Sequence, residues 1–138
     1  MRFMIMVRAN QDTEANVMPS EQLIADMATF HEELAKAGAL VDASGLQPSS
    51  KGWRIRYSNK KRTVVDGPYT ETKELIAGYT IIQANSREEA LEWTKRFPNP
   101  FPDASECEIE VRPIKGLAEL GDSEGMQRFR KLGVGSEK

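Results

Sequence analysis

Apolar residues fill Arg2-Phe3-Met4-Ile5-Met6-Val7-Arg8 between its flanking arginines, and the polar run Asn10-Gln11-Asp12 follows. A short continuous apolar run bounded by polar residues predicts a central strand. After Pro19-Ser20 the period changes. Leu23, Met27, Phe30, Leu34 and Ala37 recur at three and four residues, which predicts a helix with one apolar stripe. Gly38 suits the left-handed position just past its end. Leu40 to Leu46 returns to extended, partly apolar character, closed by Gln47-Pro48-Ser49-Ser50. Trp53, Ile55 and Tyr57 then alternate with Arg54 and Arg56, a period of two that predicts a half-buried strand with its aromatics turned inward. Ser58-Asn59-Lys60-Lys61 turns the chain, and Arg62-Thr63-Val64-Val65 pairs back as the second arm of a hairpin that Asp66-Gly67-Pro68 stops.

Gly78 to Ala84 reads as another strand with both faces largely covered. Ser86-Arg87-Glu88-Glu89 matches the S-x-x-E box that caps helix N-termini, and Ala90, Trp93, Thr94 and Phe97 continue a stripe, so a helix is predicted over 86–97, ended by Pro98. Pro98, Pro100 and Pro102 make an irregular connection. Cys107, Ile109 and Val111 alternate with Glu108, Glu110 and Arg112, predicting a last strand with Cys107 on its inward face. A domain over residues 1–115 is thus followed by a tail, 116–138, whose weak Met126, Phe129, Leu132 stripe fits either a short docked helix or an unstructured end.

This order predicts an α+β fold: a ferredoxin-like split βαβ with an inserted β-hairpin, in which a four-stranded antiparallel sheet carries two helices on one face. The other face needs cover, and a second protomer is the economical cover, so a homodimer is expected.

At 138 residues the chain is one domain long and able to bury one core without disulfides or a structural metal. Its single cysteine excludes an internal bridge and points to a reducing, cytoplasmic compartment. No apolar run reaches the length of a membrane span, so no membrane partner is expected. The net charge of -2 removes the argument for a generally polyanionic partner. Locally the balance differs. Lys51, Arg54, Arg56, Lys60, Lys61 and Arg62 fall within twelve residues that contain no acid, leaving 13 basic against 21 acidic groups elsewhere. This hairpin is open to three readings: a solvated surface, an anchor for a small carboxylate or phosphate, or a docking patch for an acidic partner or nucleic acid. Inward-turned aromatics disfavour stacking on a nucleic-acid strand.

The segment 66–74 gathers Asp66, Tyr69, Glu71, Lys73 and Glu74 with two threonines, a set able to supply a general base and ligand contacts. The same residues are equally turn chemistry, with Asp66-Gly67-Pro68 setting the bend and Glu71 pairing with Lys73. His31, the only histidine, sits at the border of the helical stripe, where an imidazole can shuttle protons with Glu32 or an acid of the 66–74 loop to orient it. Asp66 and His31 are therefore the catalytic candidates, and Tyr69, Glu71, Lys73, Arg54 and Arg56 the ligand-binding ones. The chain has neither a usual zinc ligand set nor a nucleotide-binding glycine motif, and no cofactor is expected.

Asp66-Gly67-Pro68-Tyr69-Thr70-Glu71-Thr72-Lys73-Glu74, with Gly78-Tyr79 after it, resembles the D-G-P-[FY]-x-E-T-K-E…G-[FY] signature of the DGPF branch of YCII-related proteins. Glu33-Leu34, Ala37-Gly38, Gly45-Leu46, Glu89 to Trp93 and Glu110 to Pro113 extend the likeness over about residues 1–115. The resemblance implies a dimeric α/β barrel of ferredoxin-like protomers. It also implies either a small-molecule-binding protein, doing cofactor-independent proton transfer or lyase chemistry on a small anionic metabolite, or a non-catalytic module associated with a sigma factor. In the YciI-like branch a His on the first helix and an Asp before a Pro after the second form an acid–base pair. Here Met27 and Phe97 stand at those positions, so that pair does not carry over, and His31 lies one turn later.

Overall fold

The computed structural model describes residues 1–135. Strand β1 spans Arg2–Arg8 and runs into a one-turn helix, α1, Gln11–Glu14. The polar run after β1 becomes helical because Asn10 and Thr13 cap each other reciprocally: the Asn10 side chain accepts from the Thr13 amide, and the Thr13 hydroxyl accepts from the Asn10 amide, both at 2.9 Å. Helix α2, Glu21–Lys36, starts on the Ser20 hydroxyl, which accepts from the Leu23 amide, and terminates where Gly38 takes φ +72°. Its stripe faces the sheet, with Phe30 and Leu34 buried and Leu23 and Met27 half-buried.

The remaining elements are strand β2 (Leu40–Gly45), the hairpin arms β3 (Trp53–Ser58) and β4 (Lys61–Asp66), strand β5 (Ile76–Gln83), helix α3 (Arg87–Lys95), strand β6 (Ile109–Pro113) and helix α4 (Glu124–Leu132). Four strands make one antiparallel sheet in the order β2-β5-β1-β6. Strand β5 therefore lies between β1 and β2, which is the split βαβ plan, and the fold is ferredoxin-like α+β.

The register decides which side chains share a face. Ile5 pairs with Thr80 and Val111, and Phe3 with Ile82, so these residues line the face beneath the helices. There Phe3, Ile5, Phe30, Leu34, Ile82 and Ala90 form the core, with Ile5, Leu34 and Ile82 wholly removed from solvent. Each such side chain stabilises the fold by roughly 1.5–3 kcal/mol before chain entropy is counted. Met4, Met6, Tyr79 and Ile81 have the opposite parity and are half-buried on the other face. The Arg2 guanidinium donates to the Gly135 carbonyl at 2.8 Å and ties the end of the tail to the start of β1.

Helix α3 begins as its sequence dictates, the Ser86 hydroxyl accepting from the Glu89 amide at 3.1 Å, while the Glu89 carboxylate reaches back one residue further, to the Asn85 amide. An ion pair of Arg96 with Glu33 joins the end of α3 to α2, and Arg96 also stacks over Trp93 at 4.6 Å.

Two expectations are corrected. Cys107 is exposed rather than inward, its thiol against the Asn99 side chain at 2.9 Å. The alternating pattern runs past the end of the pairing: Ile109 opposite Val7 is the first β6 residue to meet β1, so Cys107 stays on the loop. The hairpin aromatics do not turn inward. Strands β3 and β4 pair only with each other, and Trp53 and Tyr57 are 66% and 69% exposed, with Ile55 and Val64 between them on the same face. Period two gives a strand a common face but supplies nothing for that face to pack on. In the tail, Ser123 caps α4 through the Met126 amide and Met126 is buried, while Phe129 and Leu132 stay exposed. Residues 136–138 of the tail lie outside the described residues.

Candidate functional site

Where α2 crosses the end of β2 and the start of β5, the chain leaves a cavity of about 610 Å³. Leu23 and Met27 of α2 form one wall, and Phe97 and Phe101 of the loop after α3 form another. A hollow of this size and apolar character, with few polar groups converging in it, is the usual form of a small-molecule site. Here the polar groups include His31 and Thr80.

Both nitrogens of His31 are engaged. Nδ1 lies 2.7 Å from the Met27 carbonyl oxygen and Nε2 lies 2.8 Å from the Thr80 hydroxyl. A carbonyl oxygen only accepts, so Nδ1 carries the hydrogen that bonds it. In the neutral ring Nε2 then has the free lone pair and accepts from Thr80, and Nε2 is the position at which a proton enters or leaves. Phe30 meets the imidazole edge-on at 5.5 Å between centroids and Phe97 does so at 6.3 Å, which fixes the ring plane. Thr80 is buried at the middle of β5, on the parity of Gly78 and Ile82.

The 66–74 loop is built into the fold at its base. The Ser49 hydroxyl donates to the Glu14 carboxylate, the Ser49 amide donates to the other carboxylate oxygen at 2.8 Å, and the Ser49 hydroxyl oxygen accepts from the Tyr69 amide at 3.0 Å. Tyr69 donates its phenol to the Val65 carbonyl at 2.7 Å, and the Arg54 guanidinium stacks on its ring at 3.6 Å. A Cβ on Gly67 would sit 1.8 Å from the Ser49 carbonyl oxygen, so only glycine allows this approach.

His31 faces the cavity, whereas Asp66, Tyr69, Glu71, Lys73, Arg54 and Arg56 do not line it. Asp66 closes β4 opposite Trp53, exposed, and its carboxylate makes no hydrogen bond or ion pair among the described residues. Arg56 is exposed on the hairpin, opposite Thr63. Glu71 opens the 3-10 turn Thr72–Glu74 and forms no ion pair with Lys73; Lys73 lies instead beside Arg8, which donates to its carbonyl at 2.5 Å. The expected meeting of Asp66 with His31 in one hollow is therefore not made within a single chain. Thr80 and Phe101, which line the cavity, and Glu14, which anchors the loop base, are not singled out by the sequence pattern. A threonine at core-facing parity between a glycine and an isoleucine was the available clue, because a buried hydroxyl needs a partner.

A model of the YCII-related domain matches residues 1–115. The chain belongs to the YCII-related family. It is 31% identical over 94 residues to the uncharacterised protein R00369 of Rhizobium meliloti (strain 1021), covering 68% of this chain and 74% of that protein. A solved structure of 5-chloro-2-hydroxyhydroquinone dehydrochlorinase (TftG) from Burkholderia phenoliruptrix AC1100, in complex with 2,5-dihydroxybenzoquinone, is similar over 84% of this chain and 95% of its own, at 16% identity and a TM-score of 0.44. In this YCII-related chain Met27 and Phe97 both line the cavity beside His31. Among the described residues no three His, Cys, Asp or Glu side chains are grouped to hold a metal, and no helix is long and apolar enough to cross a membrane.

Proposed function

We propose that this YCII-related protein binds a small, largely apolar molecule carrying one acidic group in the cavity under α2, and that His31 exchanges a proton with it through Nε2. The observation that carries this reading is one imidazole, held by Met27 and Thr80, in a hollow whose other walls are mostly apolar and aromatic, with the hydroxyls of Thr13, Ser44 and Tyr79 among them. When the ligand yields its proton, the imidazolium formed is held at Nδ1 by the Met27 carbonyl and faces the new anion at Nε2, an arrangement suited to isomerisation or to elimination from the deprotonated ligand.

The test uses the fact that His31 is the only histidine, so its ring resonances report on this site alone. Titration with a panel of small phenols, enols and carboxylic acids is expected to move those resonances. Leu23→Trp, which projects an indole into the hollow, is expected to weaken or abolish the shift. A panel in which no compound moves the His31 resonances, or in which those that move them bind Leu23→Trp equally well, would sink the proposal.

The protein works as a homodimer in this reading. The hairpin presents Trp53, Ile55, Tyr57 and Val64 on one uncovered face, and a two-stranded ribbon is marginal by itself in water. The six basic residues of 51–62 complement the acidic remainder of a second copy. Docking of a sigma factor on the same basic hairpin is the second reading. A chain that stays monomeric alone and forms a one-to-one complex with a sigma factor would favour it over the dimer.

A further inference from the structure

A second hollow, of about 530 Å³, lies next to the first and shares Phe101 with it as a common wall. Arg8, Asn10, Lys73, Glu106 and Glu108 line it with Phe101. Charges of both signs thus surround one space without neutralising each other. Lys73, Glu106 and Glu108 make no side-chain hydrogen bond or ion pair among the described residues. Arg8 donates through Nη1 to the Lys73 carbonyl and through Nη2 to Glu110 at 2.6 Å, yet its Nε is buried with no partner. The Asn10 side-chain oxygen is spent on the cap of α1, which leaves its amide hydrogens free to donate.

A simple carboxylate entering this hollow meets Lys73 but also two carboxylates, and a simple amine meets two acids but also Lys73 and Arg8. A molecule bearing both charges satisfies both sets at once. Ala9, Ala104 and the Phe101 ring supply apolar surface for a side group. We propose that this hollow is a site for a small zwitterion with an apolar side group, the chemistry of a free aliphatic or aromatic α-amino acid. Its carboxylate is taken by Lys73 with Asn10, and its ammonium by Glu106 and Glu108. The site gives Lys73 of the 66–74 segment a ligand role apart from the His31 cavity, and it stands whether or not that cavity binds what is proposed above.

Calorimetry or ligand-observed NMR on the full chain tests it with three matched probes: L-phenylalanine, 3-phenylpropionate, which lacks the ammonium, and 2-phenylethylamine, which lacks the carboxylate. L-Phenylalanine is expected to bind about tenfold or more tighter than either half, in line with one added charge-assisted contact. Lys73→Gln is expected to weaken L-phenylalanine and 3-phenylpropionate but not 2-phenylethylamine, and the double variant Glu106→Gln/Glu108→Gln to do the converse. Leu23→Trp, which projects into the apolar cavity and not into this hollow, is expected to leave L-phenylalanine binding intact. The substitutions at Lys73, Glu106 and Glu108 are at exposed positions and leave the core untouched. Equal affinity for the three probes, L-phenylalanine binding that survives both charge variants, or its loss in Leu23→Trp would each overturn the proposal.

Discussion

The Thr80 hydroxyl and His31 Nε2 meet at 2.8 Å across the gap between β5 and α2, joining a buried strand side chain to the one imidazole of the protein. The bond holds Nε2 at the cavity wall, and a ligand reaching that nitrogen must replace it. Thr80→Val keeps the shape and removes the hydroxyl. It is expected to cost about 1–3 kcal/mol in urea unfolding, since a half-buried ring nitrogen loses its partner. The ¹⁵N shift of Nε2 should move while that of Nδ1 does not, and Thr80→Ser should restore both. Unchanged stability together with an unchanged Nε2 shift would remove the bond from the account.

The core rests on few large side chains. Leu34, with no exposed surface, is expected to cost about 2–5 kcal/mol when replaced by alanine, because the helix–sheet contact cannot close over the space left. Leu132→Ala, on the exposed side of α4, should stay within about 0.5 kcal/mol. Denaturant midpoints for the two variants check the contrast, and equal losses would contradict the packing described.

Gly67 and Ser49 are in backbone contact that a side chain cannot enter. Gly67→Ala is expected to lose roughly 2 kcal/mol or more through overpacking against a carbonyl group that has no freedom to yield. Ser49→Ala should release the hydroxyl's bonds to Glu14 and Tyr69, keeping the Ser49 amide on Glu14, and raise amide exchange over 49–69 while leaving the core strands protected. Fast exchange spreading into β1 and β5 would mean that the hairpin base is part of the core instead.

The uncovered hairpin face gives a fluorescence test of the dimer. In Trp93→Phe the only indole left is Trp53, exposed in the single chain. Its emission is expected to lie to the blue of free tryptophan and to shift red on dilution as light scattering reports dissociation. Tyr57→Glu should give a monomer with red emission at every concentration. A red-shifted Trp53 in a scattering-defined dimer would place the interface elsewhere.

The features that the sequence carried openly are those set by neighbours within about four residues. The β1 run, the α2 stripe with its Ser20 and Gly38 boundaries, the Ser86 cap and the two-residue period of β3 all depend on local periodicity and local hydrogen bonds, and all are found. The order of these elements was enough for the ferredoxin-like plan, because short connections and sheet chirality leave few ways to arrange them.

Other features depend on register and packing summed over the whole core. His31 and Thr80 are 49 residues apart, and only the seating of α2 over β5 makes them partners. The same holds for Glu14 with Ser49 and for Arg8 with Lys73. Cys107 shows the reverse: its strand-like alternation outlasts β1, and a strand ends where its partner does. Amphipathic pattern determined which residues belong on a common face, but whether that face meets a helix, a cavity or water was decided by tertiary contacts, since burial is a property of what lies opposite and not of the segment itself.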